Sequence, residues 1–217
     1  MPDYIKLCMN TWCVPYTLLD YDTVNDYTDL DIMGAARFTL PQTSDCIRAH
    51  VLRDHGGYWM DADTIMLTDR LPACNVVGDP VSRSHSIGLL YTEPKADMYV
   101  QWSAYQDRII ESGEVPAHWG ALGNSFTNDY VKEHEEITIA QIAGFMPDIY
   151  MGKGTNRRER YIDFYFDQRL HLSDVRGDIL MLHNSWTPQW YKELTAEEVL
   201  ECDCTLSNIL RERLCDI

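Results

Sequence analysis

The sequence predicts an α/β fold, in which helices flank a mostly parallel central sheet within a single domain over residues 1–217. Residues 96–112 predict an amphipathic helix because apolar side chains recur there at helical spacing. The residues that share its apolar face are Met98, Trp102, Tyr105 and Ile109. Short apolar runs at 85–91 and 179–183 indicate strands. Alternating helices and strands are typical of layered folds with a parallel sheet.

Two helices are predicted in the first part of the chain. Pro2 suits the first turn of an N-terminal helix, because proline lacks the N–H that a first turn leaves without a partner. Either Thr43 or Ser44 is expected to cap the second helix. Gly56 and Gly57 end that helix, since glycine tolerates the left-handed conformation that follows a C-cap.

Two carboxylates interrupt the apolar run that follows the second helix. Residues 58–60 predict a short buried strand and residues 64–67 its continuation, with Asp61 and Asp63 between them. Carboxylates in an apolar setting carry a desolvation cost unless they have a partner. Mn²⁺ or Mg²⁺ is a suitable partner because these cations prefer oxygen ligands. A solvated turn is the alternative explanation, and the apolar flanks favour the metal.

The remaining elements complete the alternating order. They are a glycine-rich turn and helix over 120–131, a helix leading into a strand over 137–145, a basic glycine-containing loop over 151–160, a strand over 179–183, and a terminal helical stretch over 195–214.

Charge and composition exclude several kinds of partner. The net charge of −16 argues against nucleic acid, because phosphate binding needs basic patches, and equally against an anionic membrane surface. No apolar run reaches the length of a membrane span. The seven cysteines are odd in number and no secretory signal precedes them, so we expect a cytoplasmic protein with reduced thiols.

Asp45 and Arg48 are spaced i,i+3, so they share one face of the second helix. Ile47, Val51 and Leu52 are expected to form the opposite, buried face. A surface ion pair worth a few tenths of a kcal/mol, roughly what i,i+3 pairs give, is one interpretation of this pair. A functional role for the pair is the other, and the downstream carboxylates favour it.

Residues 44–67 resemble the sugar-nucleotide-binding segment of the DXD-containing GT-A glycosyltransferases, a group that includes capsular polysaccharide synthesis enzymes. The pattern of that group runs roughly S-D-x-x-R, then an apolar helix, then G-G-x-[YW]-[LM]-D-x-D. The matching residues are Ser44, Asp45, Arg48, Gly56, Gly57, Trp59, Asp61 and Asp63. The resemblance implies a GT-A (Rossmann-like) fold. It also implies transfer of a hexose from a UDP-glucose or UDP-galactose type donor to a glycan or lipid-linked acceptor, with retention of configuration.

The same resemblance implies a role for each candidate residue. Asp45 would accept hydrogen bonds from the hydroxyls of the donor sugar, and Arg48 would contact sugar or phosphate through its planar fork. Asp61 and Asp63 would hold Mn²⁺ or Mg²⁺ against the diphosphate, and His183 would supply a further metal ligand from a late strand. A packed histidine is the alternative for the last of these.

Further donor contacts are implied around His183 and in the basic loop. Ser185 and Trp186 would bind phosphate, the latter through its indole N–H, although a core tryptophan is the common alternative. Lys153 opens the basic run 153–158, which is equally a lid over the diphosphate or a solvated loop. The glycine-containing turn over 118–125 would lie near the acceptor, or simply precede a helix.

The chain also departs from the family pattern. The first family strand is absent, because the sequence begins at the helix that follows it, as expected for a short member or a part of a longer polypeptide. A non-catalytic nucleotide-sugar-binding domain is therefore the alternative function. A metal-dependent hydrolase that uses Asp61 and Asp63 is disfavoured, since residues i and i+2 cannot flank a scissile bond from opposite sides.

Overall fold

The structure is a computed structural model, and it describes residues 1–71, 76–78, 85–134, 139–141 and 147–215. The α-helices are α1 (Asp3–Asn10), α2 (Ile32–Ala35), α3 (Leu40–His55), α4 (Asp97–Ser112), α5 (Asn124–Glu133), α6 (Asp148–Met151), α7 (Arg157–Ile162), α8 (Gln189–Lys192), α9 (Ala196–Glu201) and α10 (Thr205–Cys215). The strands are β1 (Gly57–Met60), β2 (Thr64–Met66), β3 (Val76–Gly78), β4 (His85–Thr92), β5 (Ile139–Gln141) and β6 (Ile179–Met181).

The chain forms two compact units, which are described separately. The first unit comprises Met1–Pro15, Asp61–Pro72 and Ile142–Ile217, and the second comprises Tyr16–Met60 and Ala73–Gln141. None of the helices in the described ranges combines the length and the apolar character that a membrane crossing needs.

The first unit has an aromatic core beside a two-stranded sheet. Strands β2 and β6 pair antiparallel, with Thr64 opposite Met181 and Met66 opposite Ile179. The fully buried rings of the core are those of Tyr4, Tyr161, Phe164, Tyr165 and Tyr191. Burial of large rings contributes much of the hydrophobic stabilisation in such a unit. The sheet edge where β2 begins and β6 ends is therefore fixed by a packed core.

The second unit is built on a four-stranded sheet of order β1-β4-β3-β5. Strand β4 pairs antiparallel with both β1 and β3, and β3 pairs in parallel with β5. A core cluster joins Leu52 of α3, Leu90 of β4, and Tyr99 and Trp102 of α4. This cluster packs α3, the helix that carries Asp45 and Arg48, against α4 and the sheet.

The prediction of a mostly parallel, GT-A (Rossmann-like) sheet is wrong. Three of the four strand pairs in the described ranges are antiparallel, and these strands fall into two separate sheets. A parallel pair needs a crossover connection between its strands. The alternating order of elements suggested such crossovers, but it does not by itself determine which strands pair.

The prediction of one strand interrupted by the carboxylates is also wrong. Strands β1 and β2 belong to different sheets and different units. Between them the chain turns at Asp61–Thr64, where the Thr64 N–H donates to the Asp61 carbonyl over 3.1 Å. Strand β1 is not buried either, since the Tyr58 side chain is 39% exposed.

Of the predictions made from helix periodicity and capping, two are confirmed and one is wrong. Helix α4 is confirmed, and Gly56 is the C-cap of α3 with φ of +63°. The expected N-cap at Thr43 or Ser44 is wrong, because α3 begins one turn earlier. Gln42 there accepts from the Thr39 backbone N–H and hydroxyl over 3.1 and 2.9 Å. The helix expected over 137–145 falls largely outside the described residues, and 139–141 form β5.

Candidate functional site

In the second unit, Asp45 and Arg48 form a buried ion pair on α3. Each residue is 5% exposed, and their closest charged atoms lie 3.5 Å apart. The prediction that Asp45 and Arg48 lie opposite the buried face of α3 is therefore wrong, since both are buried. Ile47 and Val51 are only half-buried, whereas the predicted burial of Leu52 is confirmed. A surface ion pair no longer explains these residues. A buried pair needs further partners to offset desolvation.

Arg48 obtains those partners from the protein itself. Its guanidinium donates to the Ile87 carbonyl and, over 3.3 Å, to the Ser44 hydroxyl. Its Cζ also lies 5.2 Å from the centre of the Trp59 ring, within reach of a cation–π interaction. The guanidinium is thus held in place by several protein groups besides Asp45.

A close backbone approach fixes the other side of the Asp45 carboxylate. A Cβ built on Gly123 would overlap Oδ2 of Asp45 and lie 2.6 Å from Cδ1 of Ile87. The Leu122 carbonyl accepts from the side-chain nitrogens of Trp102 and Gln106, each over 2.7 Å. Glycine is therefore required at 123 by contact with the carboxylate, a role that the sequence motif over 118–125 did not reveal.

In the first unit, Asp61 and Asp63 lie on the turn that precedes β2, and both are half-buried. Asp63 is joined to the end of β6 by two hydrogen bonds. Its carbonyl accepts from the Leu182 N–H over 3.1 Å, and its Oδ2 accepts from the Asn184 N–H over 3.0 Å. The antiparallel β2–β6 pair thus places the start of one strand beside the end of the other.

His183 stands in the same neighbourhood, between an arginine and two aromatic rings. Arg157 donates to its Nε2 over 3.3 Å, so that nitrogen is the acceptor and the ring proton lies on Nδ1. The Trp186 ring centre is 4.1 Å from the imidazole centre, and the Tyr161 hydroxyl accepts from the His183 backbone N–H over 3.2 Å. Burial, helped by the charge of Arg157, lowers the pKa of His183 to about 4.

Two buried tyrosines support this cluster from the core. The Tyr4 hydroxyl donates to Oδ1 of Asn184 over 2.7 Å, and the Tyr161 hydroxyl pairs with Thr187 over 3.0 Å. Burial raises the pKa of both phenols, so each hydroxyl keeps its proton. Sequence analysis missed Tyr4 and Tyr161, and their apolar surroundings gave no reason to single them out.

In the basic loop, the structure places Arg157 against His183. Lys153 is exposed, and its backbone N–H donates to Asp163 over 2.8 Å. Arg157 instead reaches His183, and its Cζ lies 5.5 Å from the centre of the Trp186 ring. The basic run had indicated this segment without distinguishing its members. Ser185 is exposed and directly precedes Trp186.

The side chains at this turn provide some of the ligands that a divalent cation such as Mn²⁺ or Mg²⁺ needs. Asp61 and Asp63 offer carboxylate oxygens, which Mn²⁺ and Mg²⁺ prefer. His183 offers a neutral imidazole, but Arg157 occupies its acceptor nitrogen. Among the described residues, no group of three or more His, Cys, Asp and Glu side chains converges in a metal-binding arrangement.

Replacing Gly123 tests the contact with Asp45. We expect Gly123→Ala to lower the free energy of unfolding by about 1–3 kcal/mol, because the new methyl group must displace the carboxylate or Ile87. Urea denaturation measures the change. Gly120→Ala in the same turn is the control, since its Cβ would meet no atom closer than 3.8 Å. Equal effects of the two substitutions would contradict the contact.

The lowered pKa of His183 predicts a pH dependence of stability. Below about pH 6.5 the unfolded chain binds a proton at this imidazole, whereas the native state resists it down to about pH 4. The free energy of unfolding should therefore fall between pH 7 and 5, and fall less in His183→Gln. Denaturation curves at both pH values test this, with the exposed His118→Gln as control. An unchanged slope in His183→Gln would show that the imidazole titrates normally.

Comparison with known proteins identifies the family of this chain. The sequence has no significant match among curated proteins or among solved structures. The family model described as capsular polysaccharide synthesis protein matches residues 1–174, most of the 217-residue chain. The chain therefore belongs to the capsular polysaccharide synthesis protein family.

Proposed function

We propose that this protein is a metal-dependent glycosyltransferase of glycan biosynthesis. It would move a hexose from a nucleoside diphosphate sugar, of the UDP-glucose or UDP-galactose type, to a glycan or lipid-linked acceptor with retention of configuration. Membership of the capsular polysaccharide synthesis family supports a role in glycan biosynthesis. The observation that carries the proposal is the acidic turn of Asp61 and Asp63, joined through residues 182–184 to Arg157. A cytoplasmic location remains a prediction from the sequence.

The acidic turn and Arg157 together supply what a diphosphate requires. Asp61 and Asp63 would hold Mn²⁺ or Mg²⁺, with His183 as a further ligand once Arg157 leaves its Nε2. The ion, when bound, neutralises charge on the leaving diphosphate. Arg157, released from the imidazole, would bind phosphate oxygens through its planar fork. Lys153, Ser185 and Trp186 are proposed as supporting phosphate contacts.

Asp45 is the proposed sugar-binding carboxylate. An ionised carboxylate only accepts hydrogen bonds, and the hydroxyls of a hexose are donors that match it. Arg48 then acts as a positioning residue, because its guanidinium is anchored to Ile87 and Ser44 within the core of the second unit. Orientation of a carboxylate in advance of binding reduces the entropy that must be lost when the sugar binds.

The chemical step conserves atoms and charge. An acceptor hydroxyl oxygen forms the new bond to the anomeric carbon, and the bond from that carbon to the phosphate oxygen breaks. The electron pair goes to the diphosphate, and the hydroxyl proton goes to the departing phosphate oxygen. Retention of configuration requires no carboxylate base on the opposite face of the sugar.

A non-catalytic nucleotide-sugar-binding domain is the second candidate function. The contact between Arg157 and the acceptor nitrogen of His183 favours it, because this contact engages one of the proposed metal ligands. Both candidates bind a UDP sugar, but only the enzyme releases UDP. Incubation with UDP-glucose or UDP-galactose and Mn²⁺, with and without an oligosaccharide acceptor, therefore separates them.

Asp63→Asn tests the acidic turn. We expect UDP release to fall by about 10- to 100-fold while the fold is retained, because the amide keeps an oxygen for the Asn184 N–H but loses the charge that binds a cation. Asp167→Asn, at an exposed carboxylate of the same unit, is the matched control. Mn²⁺ should raise the thermal midpoint of the wild type only when UDP is present. The same stabilisation by UDP in excess EDTA would contradict a metal bridge.

Arg157→Lys tests the phosphate contact. We expect the KM for the UDP sugar to rise by about tenfold, because an ammonium group is a point charge and cannot grip two phosphate oxygens as a planar fork does. Arg158→Lys, at the exposed neighbour on α7, should leave KM unchanged. If the two substitutions have equal effects, the loop contributes only diffuse positive charge.

A further inference from the structure

The second unit contains a groove that takes no part in the proposed binding of the donor. Helices α4 and α5 and the segment 114–122 enclose a volume of about 510 Å³. Pockets that bind small molecules and short polymers span roughly 300–1,000 Å³. The groove is therefore large enough for an organic ligand, and its lining indicates which kind.

A ladder of rings forms one wall. On α5 and just beyond it, Phe126, Tyr130 and His134 succeed one another at i, i+4 and i+8, and Tyr105 of α4 joins them. The planes of Tyr105 and Phe126 lie 23° apart, those of Phe126 and Tyr130 24° apart, and those of Tyr130 and His134 1° apart. Tyr130 and His134 are stacked with their ring centres 3.7 Å apart, so the ladder presents mainly ring edges, against which the apolar C–H groups of a sugar can pack.

Hydrogen-bonding groups border this ladder of rings. Glu114, Asp129, Glu133 and Gln101 are exposed at the groove, and the half-buried Ser125 also lines it. Carboxylates accept hydrogen bonds from hydroxyls, and a sugar presents several of these around its apolar face. No lysine or arginine is among the described residues that line the groove. Lys132 pairs with Asp129 over 2.9 Å, but Glu114 and Glu133 leave the lining net negative, so an uncharged sugar is favoured over phosphates and uronic acids.

The floor of the groove is connected to Asp45 by a short segment. Ala121 and Leu122 line the groove, and the next residue, Gly123, lies against the Asp45 carboxylate. Trp102 and Gln106 hold the Leu122 carbonyl, so this segment has a fixed position in the second unit. We propose that the groove binds an uncharged oligosaccharide, the growing acceptor chain. The assignment as acceptor rests on the proposed function, whereas glycan binding by the groove does not.

Direct binding tests the proposal without any transfer assay. Saturation-transfer NMR on the whole protein would use cellohexaose, maltohexaose and chitohexaose as uncharged probes and hexagalacturonate as the anionic one. We expect at least one uncharged hexasaccharide to bind and the anionic one to bind at least about tenfold more weakly. Ala117→Trp, which places an indole in the groove, should reduce binding by about tenfold or more. Ala104→Trp, at an exposed alanine that does not line the groove, should bind like the wild type.

A second variant tests the proposal independently of whether Ala117→Trp folds. The double substitution Glu114→Gln with Glu133→Gln alters only exposed groups, and it should weaken binding of the uncharged probe severalfold. Absence of binding by all three uncharged hexasaccharides, or binding that survives Ala117→Trp, would overturn the proposal. Binding without UDP release from any UDP sugar would retain the groove as a glycan site and reject the transferase function.

Discussion

Burial of the Asp45–Arg48 ion pair is the constraint around which the second unit is organised. Removing two charges from water costs several kcal/mol per ion unless good geometry and extra hydrogen bonds offset it. The Ile87 carbonyl, the Ser44 hydroxyl and the Trp59 ring supply those contacts to the guanidinium. These groups come from α3, β1 and β4, so satisfying one arginine ties the helix to the sheet.

A buried ion pair is nevertheless weak evidence that stability is its purpose, since apolar residues of similar volume often serve as well. The close fit of Gly123 against the carboxylate points the same way, because it leaves no room for a side chain and fixes the orientation of Asp45. A carboxylate held in this way would lose little freedom on binding a ligand, as the proposed sugar-binding role requires. This argument supports a binding role for Asp45 and a positioning role for Arg48.

Sequence patterns predicted local features well and tertiary relations poorly. Helix α4 and the cap at Gly56 follow from periodicity and from glycine conformation, which are local properties. Strand direction depends on pairing between distant segments, so the parallel sheet was wrong. The inward face of α3 was also misjudged, because this helix buries polar residues that a hydrophobic pattern assigns to solvent.

Asp63 does lie beside 182–184, as sequence analysis had anticipated, but through an antiparallel pair. Which member of the basic loop reaches His183 depended on the fold of α7, and no pattern in the sequence distinguished Arg157 from Lys153.

Charge offers a means of separating the two ligands that the proposed reaction needs. The chain carries a net charge of −16, so a diphosphate meets an unfavourable field except where cations are concentrated. Helix α7 of the first unit provides such a place, with three arginines among its six residues. The groove of the second unit has the opposite character, since carboxylates border its rings. An anionic donor is therefore attracted to α7 and repelled by the groove. An uncharged glycan is indifferent to both fields, so stacking and hydroxyl contacts decide where it binds. Electrostatics would thus keep the anionic donor out of the groove, while packing against the rings and hydrogen bonds would hold the uncharged acceptor there.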